Sequence, residues 1–153
     1  MKKILAVLGG VFLVLAAVIG VLLGYAAYQG SGLDKSSKEY VDNNLPAILS
    51  SWSKDELLKR SSPQLLKVIN EKPEQLQQLF DKISKLGALK TYNGSKGQAM
   101  VYVDAIKGKS TTANYESDAT FEHGQAHIAV RLVQTSGQWQ FLLFNVNSPL
   151  FLQ

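Results

Sequence analysis

Residues 113–146, ANYESDATFEHGQAHIAVRLVQTSGQWQFLLFNV, decide the fold. Apolar and polar side chains alternate over 113–122, 126–134 and 138–146, the period of two that turns one face of a strand toward a core. Working outward, Val101, Val103 and Ala105 alternate with Met100, Tyr102, Asp104 and Ile106, which adds a strand in front. Gly108, Gly124 and Gly137 fall between the runs, and connections this short demand antiparallel neighbours. Four strands in a meander follow. With His123-Gly124 as a two-residue turn, Phe121 should face Ala126, Ala119 Ile128, Ser117 Val130 and Tyr115 Leu132. With Ser136-Gly137 as the next, Leu132 should face Phe141 and Val130 should face Leu143, which keeps one apolar side continuous.

Upstream of Ala88 the period is helical. Ser36 with Glu39 has the spacing of a capping box, and Val41, Leu45, Ile48, Leu49 and Trp52 then share one side of a helix, which Pro46 should kink or restart. Ser53 with Glu56 repeats the capping spacing, and Ser62-Pro63 and Lys72-Pro73 place proline in a first helical turn. Leu76, Leu79, Phe80 and Ile83 line the last helix, Lys82 and Lys85 suit its carbonyl end, and Gly87 can stop it in a left-handed conformation. The class is α+β: amphipathic helices packed on one face of a four-stranded antiparallel meander, residues 36–153.

Four stretches sharpen this reading: Leu86-Gly87-Ala88-Leu89; Ala119-Thr120-Phe121-Glu122-His123-Gly124; Gly137-Gln138-Trp139-Gln140-Phe141; and Asn145-Val146-Asn147-Ser148. Over roughly residues 36–150 the chain resembles bacterial envelope domains of the cystatin-like or NTF2-like superfold that have no assigned function. The resemblance implies helices on one side of a curved sheet. Folds of this kind host isomerases, dehydratases, inhibitors and transport adaptors, so it does not choose an activity.

The opening of the chain belongs to a different solvent. From Ile4 to Tyr28 no side chain is charged, and 25 positions as a helix would reach about 37 Å against about 30 Å of bilayer hydrocarbon. Lys2 and Lys3 precede this span, while Asp34, Lys35, Lys38 and Glu39 after it cancel. The expected arrangement is a single-pass signal anchor at 1–28 with its amino end in the cytoplasm, a flexible tether at 29–35, and the domain periplasmic or extracellular. Gly24-Tyr25-Ala26 also fits a signal-peptidase site, but an apolar run of twenty or more exceeds the usual 7 to 15 and favours retention. The sequence has no cysteine, which excludes a lipoprotein anchor, disulfides and thiolate chemistry.

The net charge of +4 is no sign of nucleic acid. Residues 33–153 carry 14 basic and 12 acidic side chains, interleaved as on a solvated surface. On the sheet face away from the expected core, Glu116 should face Arg131, Thr120 should face His127, Tyr102 should lie beside Glu116, and Asp104 should face Asn114. Leu142, Phe144 and Val146 add apolar surface to that side. Tyr102, Asp104, Glu116, His127 and Arg131 are therefore the candidate ligand face, half polar and half apolar. A Glu and an Arg facing each other on exposed strands are more often an ordinary cross-strand ion pair. Asp104 or Glu116 with Tyr102 could serve acid–base chemistry, but no motif singles them out.

His123 and His127 flank a turn, with His123 suited to a positive φ and no third ligand in view, so neither a metal nor another cofactor is expected. The reading is a non-enzymatic binding or accessory module for an envelope protein, peptide or small molecule; the rival is an enzyme with a pocket between helices and sheet. Pro149-Leu150-Phe151-Leu152 is apolar enough to dock, though such ends more often pack on their own core. Ala16, Gly20 and Gly24 put small residues on one stripe of the anchor, where two helices could meet. Gly20→Leu is expected to abolish the dimer signal of the span in a membrane reporter assay; an unchanged signal contradicts that interface.

Overall fold

Helix α1, residues 32–51, lies across one face of a four-stranded antiparallel sheet of order β1-β2-β3-β4, with β1 Leu89–Asp104, β2 Gly108–Phe121, β3 Gly124–Thr135 and β4 Gln138–Asn147. The computed structural model describes residues 32–153. The expected anchor at 1–28, its Ala16, Gly20 and Gly24 stripe and tether residues 29–31 lie outside them. Residues 32–35, expected as the end of the tether, are helical. Among the described residues no helix is long and apolar enough to cross a membrane. Asp34–Gln153 is one compact unit.

The core lies between α1 and the sheet. Val41, Leu45, Ile48 and Leu49, spaced by one helical turn or a single step, are fully buried against Tyr115, Ala119, Ile128, Leu132 and Phe141. Each such aliphatic side chain contributes about 1.5–3 kcal/mol by leaving water. Polar atoms in this layer are partnered. The Tyr115 hydroxyl lies 2.8 Å from Ser37 Oγ and donates to the Asp34 carbonyl at 3.0 Å, and the Trp139 indole N–H donates to Ser36 Oγ at 3.0 Å. Ser36 thus works inside the helix as an acceptor, because the helix already runs from residue 32 and leaves no amino end there to cap.

Pro46 does not divide α1, which continues to residue 51. It ends at Trp52, whose amide still reaches the Ile48 carbonyl at 3.0 Å while its φ of +46° turns the chain aside. A left-handed residue other than glycine costs about 1–2 kcal/mol. Stacking on Phe121, with ring centres 5.1 Å apart, and an indole hydrogen bond to the Gly87 carbonyl at 2.8 Å offset that cost.

Helices α2 Lys54–Leu58, α3 Pro63–Glu71 and α4 Pro73–Ile83 follow, then a 3₁₀ turn Ser84–Leu86 that Gly87 ends at φ +78°. Ser62 caps α3, accepting from the Leu65 amide at 3.2 Å, whereas the Ser53 side chain makes no cap. Between α2 and α3 the backbone of residues 60–62 bonds the free edge of β4: Phe141 N–H to the Arg60 carbonyl at 2.7 Å, Ser62 N–H to the Phe141 carbonyl at 2.8 Å.

The other edge is β1, and α1 grips it with two carboxylates. Asp42 Oδ1 accepts from the Ser95 amide at 2.9 Å, Ser95 Oγ at 2.7 Å and the Tyr92 hydroxyl at 2.9 Å, while Oδ2 meets Lys38 at 2.5 Å. Asp34 Oδ1 accepts from the Ala99 amide at 2.7 Å. Ser95 is buried and Ala99 half-buried under the two carboxylates, Gly97 between them is exposed and approaches β2, and this half of β1 is built largely from small and polar residues. Its strand character from Leu89 to Ala99 carries no apolar alternation for that reason.

Two registers differ from those the alternation predicts. In β2–β3 the turn is Glu122-His123, so Phe121 faces Gly124, Ala119 Ala126, Ser117 Ile128 and Tyr115 Val130. The offset is two residues, which changes partners and preserves faces. The turn is tied from outside by the Glu122 and His123 amides bonding the carbonyls of Ala88 and Leu86 at 2.8 and 2.9 Å; His123 does not take a positive φ, and Ser136 at +51° does. In β3–β4, Leu132 faces Phe141 as expected, but a bulge then intervenes and Val130 faces Phe144. The extra residue flips β4. Val146 becomes buried and Phe144 half-buried on the helix side, while Leu143, expected in the core, is 44% exposed.

The grip on β1 and its close approach to β2 are both testable. Burial alone would raise the Asp42 carboxyl, but hydrogen bonds from Lys38, Ser95 and Tyr92 and the Lys38 charge outweigh it and hold the group below the ordinary 3.8. A depressed folded value means stability present above about pH 4 and lost as pH falls through it. Asp42→Asn is expected to flatten the acid limb of a stability-versus-pH curve, and an unchanged limb contradicts the grip. A methyl group on Gly97 would lie 1.8 Å from the Asn114 carbonyl oxygen. Gly97→Ala should cost about 3 kcal/mol by chemical unfolding, the upper end for overpacking, with Gly124→Ala nearly neutral as the control.

Candidate functional site

The five residues of the expected ligand face divide into two places. Asp104 closes the β1–β2 hairpin: Oδ1 accepts from the amides of Ile106 and Lys107 at 2.7 and 2.8 Å, an Asx turn completed by Gly108 at φ +79°. Those two backbone hydrogen bonds hold its carboxyl below the usual aspartate range. Its partner is Gly108, not Asn114, and Tyr102 pairs with Ser110, well away from Glu116. The longer strands account for both differences, since β1 and β2 turn at 105–107 rather than near 108–112. Val101, expected on the buried side, is 44% exposed because the hairpin outruns the helix.

Glu116, His127 and Arg131 do share the sheet face away from α1. Their pairing follows the shifted register: Arg131 faces Asn114, its Nε donating to Asn114 Oδ1 at 2.7 Å, and Glu116 faces Ala129. His127 faces Asp118 rather than Thr120. Nδ1 of His127 lies 2.9 Å from Asp118 Oδ1, and Nε2 lies 3.9 Å from Glu116 Oε2, one position further along β2 on the same face. The imidazole therefore stands between two carboxylates. With Nδ1–H donating to Asp118, Nε2 is left as an acceptor; on protonation it becomes a second donor toward Glu116.

Beside this cluster a cleft of about 450 Å³ opens at the end of the sheet where β2 turns into β3. Asn93, Asp118, Thr120, Gln125, His127 and Asn147 supply its polar groups, and Leu152 lines one side. The closing residues form a 3₁₀ turn, Pro149–Leu152, so this apolar end packs beside the sheet as a cleft wall. Ser148 fixes the wall, donating to the Gln125 carbonyl at 2.6 Å and accepting from the Leu150 amide at 3.2 Å.

Asp118 and Asn93 are the residues that sequence reasoning missed. The register offset hid Asp118, and Asn93 precedes Gly94 at φ +78° in the β1 irregularity, where no alternation marks the face. The side chains of Glu116, Asp118 and His127 are 71%, 74% and 47% exposed. With His127 neutral the cluster carries two negative charges, which suits a ligand presenting cationic or hydrogen-bond-donating groups. Among the described residues no group of three or more potential metal ligands converges.

A second concavity, about 250 Å³, lies between α3 and α4. Leu65, Val68, Leu76, Leu79 and Phe144 line it, and its chemistry is apolar.

The pairing of His127 with Asp118 is expected to fix the Nδ1–H tautomer, visible in imidazole nitrogen shifts, and Asp118→Ala should release it. Because the pair is exposed, the same substitution should change unfolding stability by less than about 1 kcal/mol. A tautomer indifferent to Asp118 contradicts the geometry.

Comparison with protein-family models, with characterised proteins and with solved structures finds no match to this chain.

Proposed function

We propose that the chain is a bacterial envelope protein of the inner membrane, held by a single amino-terminal span with its α+β domain outside the cytoplasm. The domain acts as a binding or accessory module rather than an enzyme. The order of helices followed by a four-strand antiparallel meander supports a cystatin-like or NTF2-like domain. The uncharged stretch from Ile4 to Tyr28 behind Lys2 and Lys3 supports the span and its orientation.

The observation that carries the binding reading is the openness of the polar cluster. Glu116 and Asp118 stand mostly exposed and His127 nearly half exposed beside a surface cleft, where water would compete with every proton transfer. The space between α1 and the sheet is filled by Leu45, Ile48, Leu49, Tyr115 and Phe141, and the concavity between α3 and α4 is lined by apolar groups with Lys72 and Gln75. A partner loop or peptide presenting a basic or hydroxyl side chain fits the cleft, its donors meeting Asp118, Asn147 and the free nitrogen of His127.

A photoreactive residue at Gln125, in the cleft, is expected to capture a partner in native membranes. The same group at Lys82, exposed on α4, should not, and Asp118→Lys should suppress the Gln125 adduct. Equal adducts from both positions, unaffected by Asp118→Lys, would remove the cleft as the binding surface.

A further inference from the structure

We propose that the tip of the β1–β2 hairpin is a lipid-contacting element, which seats Val101, Tyr102, Val103 and Ile106 in the interfacial layer of the membrane that carries the chain. The inference rests on the anchor reading and adds to it a second point of membrane contact.

Three observations converge on it. The first is exposure. Val103 is 81% exposed, Ile106 94%, Tyr102 53% and Val101 44%, so aliphatic and aromatic groups share one small tip. Residues 102–110 pair only with one another, since the β2–β3 ladder begins at Thr111 and Gln134. Such an apolar tip has no use in water, whereas an aromatic hydroxyl among aliphatic groups suits the boundary between hydrocarbon and headgroups.

The second is place. The chain enters the domain at Asp34, whose carboxylate holds the Ala99 amide at 2.7 Å and whose carbonyl accepts from Tyr115 at 3.0 Å. From there α1 runs back along β1 to Asp42 and Ser95, so the hairpin projects past the end at which the chain arrives. From Ala99 to Asp104 it projects about 17 Å at strand rise. Gln29–Ser31 separate the uncharged stretch from α1, and the path from Tyr28 to Asp34, four extended steps and two helical ones, spans at most about 17 Å. The overhang is about as long as the tether, which puts the bilayer surface within reach of the tip.

The third is charge. Lys107 and Lys109 flank the apolar tip, and the one carboxylate there, Asp104, is engaged by the Ile106 and Lys107 amides. Long lysine stems can lie along the apolar patch with their ammonium groups at anionic headgroups. The cleft beside His127 lies at the opposite end of the strands, so a tip seated in lipid leaves it facing water.

The native chain has no cysteine, so single sites can be labelled in the full-length protein. Nitroxide labels on Ile106→Cys, Ala16→Cys and Lys85→Cys are read by collision with oxygen and with a water-soluble nickel chelate, in vesicles of phosphatidylethanolamine with a quarter phosphatidylglycerol. The expected result is oxygen-rich, nickel-poor behaviour at Ala16 and Ile106 and the reverse at Lys85. If Ile106 is as accessible to nickel as Lys85 while Ala16 stays in lipid, the hairpin proposal falls and the anchor stands. If Ala16 is water-accessible, both fall. Dipolar broadening at Ile106 that vanishes on dilution with unlabelled chain would assign the tip to a second copy and overturn the lipid contact.

Discussion

Two carboxylates on α1 hold the backbone of an edge strand, and most of the domain is arranged around that grip. Asp34 and Asp42 are two helical turns apart, about 12 Å along the axis, and the amides they bind, Ala99 and Ser95, are about 14 Å apart along β1. The near match lets one straight helix serve one extended strand. An edge strand presents a row of unpaired donors that would recruit another chain. Here charged acceptors occupy two of them, and the Tyr92 hydroxyl, pushed up to about 12 chiefly by burial, remains a donor to Asp42 at any physiological pH. At the opposite edge, Phe141 of β4 is met by the backbone of Arg60 and Ser62. Each margin of the sheet is therefore met by groups from the helical half of the domain, whereas the hairpin beyond Ala99 runs on past the reach of α1.

The grip also sets what each face can do. Among the strands the buried apolar side chains come from β2, β3 and β4, and the buried residue of β1 is Ser95. The β4 bulge keeps that core continuous: Phe141 and Val146 both turn inward although they are an odd number of residues apart. Without it Val146 would point outward and Leu143 inward, and the outer face would be greasier beside Arg131. The result is an outer face that is polar near His127 and a hairpin tip that is apolar, at opposite ends of the same strands.

The sequence announces the apolar parts of this design and conceals the polar ones. Alternation in β2, β3 and β4 locates three strands, and for β2 and β3 it also gives their faces, because side-chain parity survives a two-residue error in register; past the bulge at Leu142 the faces of β4 are the reverse of those it gives. Trp52, Leu45 and Phe80 were readable from helical spacing, and Gly87 and Ser62 from their conformational and capping preferences. The amino-terminal half of β1 was not, since LKTYNGSKGQA is held as a strand by its ladder to β2 and by Asp34 and Asp42, more than fifty residues away from the amides they bind. The Phe141-Leu142-Leu143-Phe144 run did break the alternation, the visible trace of the bulge. For the candidate face, alternation puts His127 and Glu116 on the side away from α1, but Asp118 depends on a turn whose register is fixed by the carbonyls of Leu86 and Ala88. Tyr102 and Asp104 lie elsewhere because alternation alone does not position the ends of β1 and β2.

Amide exchange along β1 in the full-length chain tests the central claim most directly. Ser95, Gly97, Ala99 and Val101 turn their N–H groups to the same side of the strand, away from β2. The account predicts slow exchange at Ser95 and Ala99, approaching that of β2–β3 core amides, with Val101 fast, and selective loss of protection at Ser95 in Asp42→Ala and at Ala99 in Asp34→Ala. Uniformly fast exchange at all four positions, or protection at Ser95 and Ala99 that survives both substitutions, would contradict it.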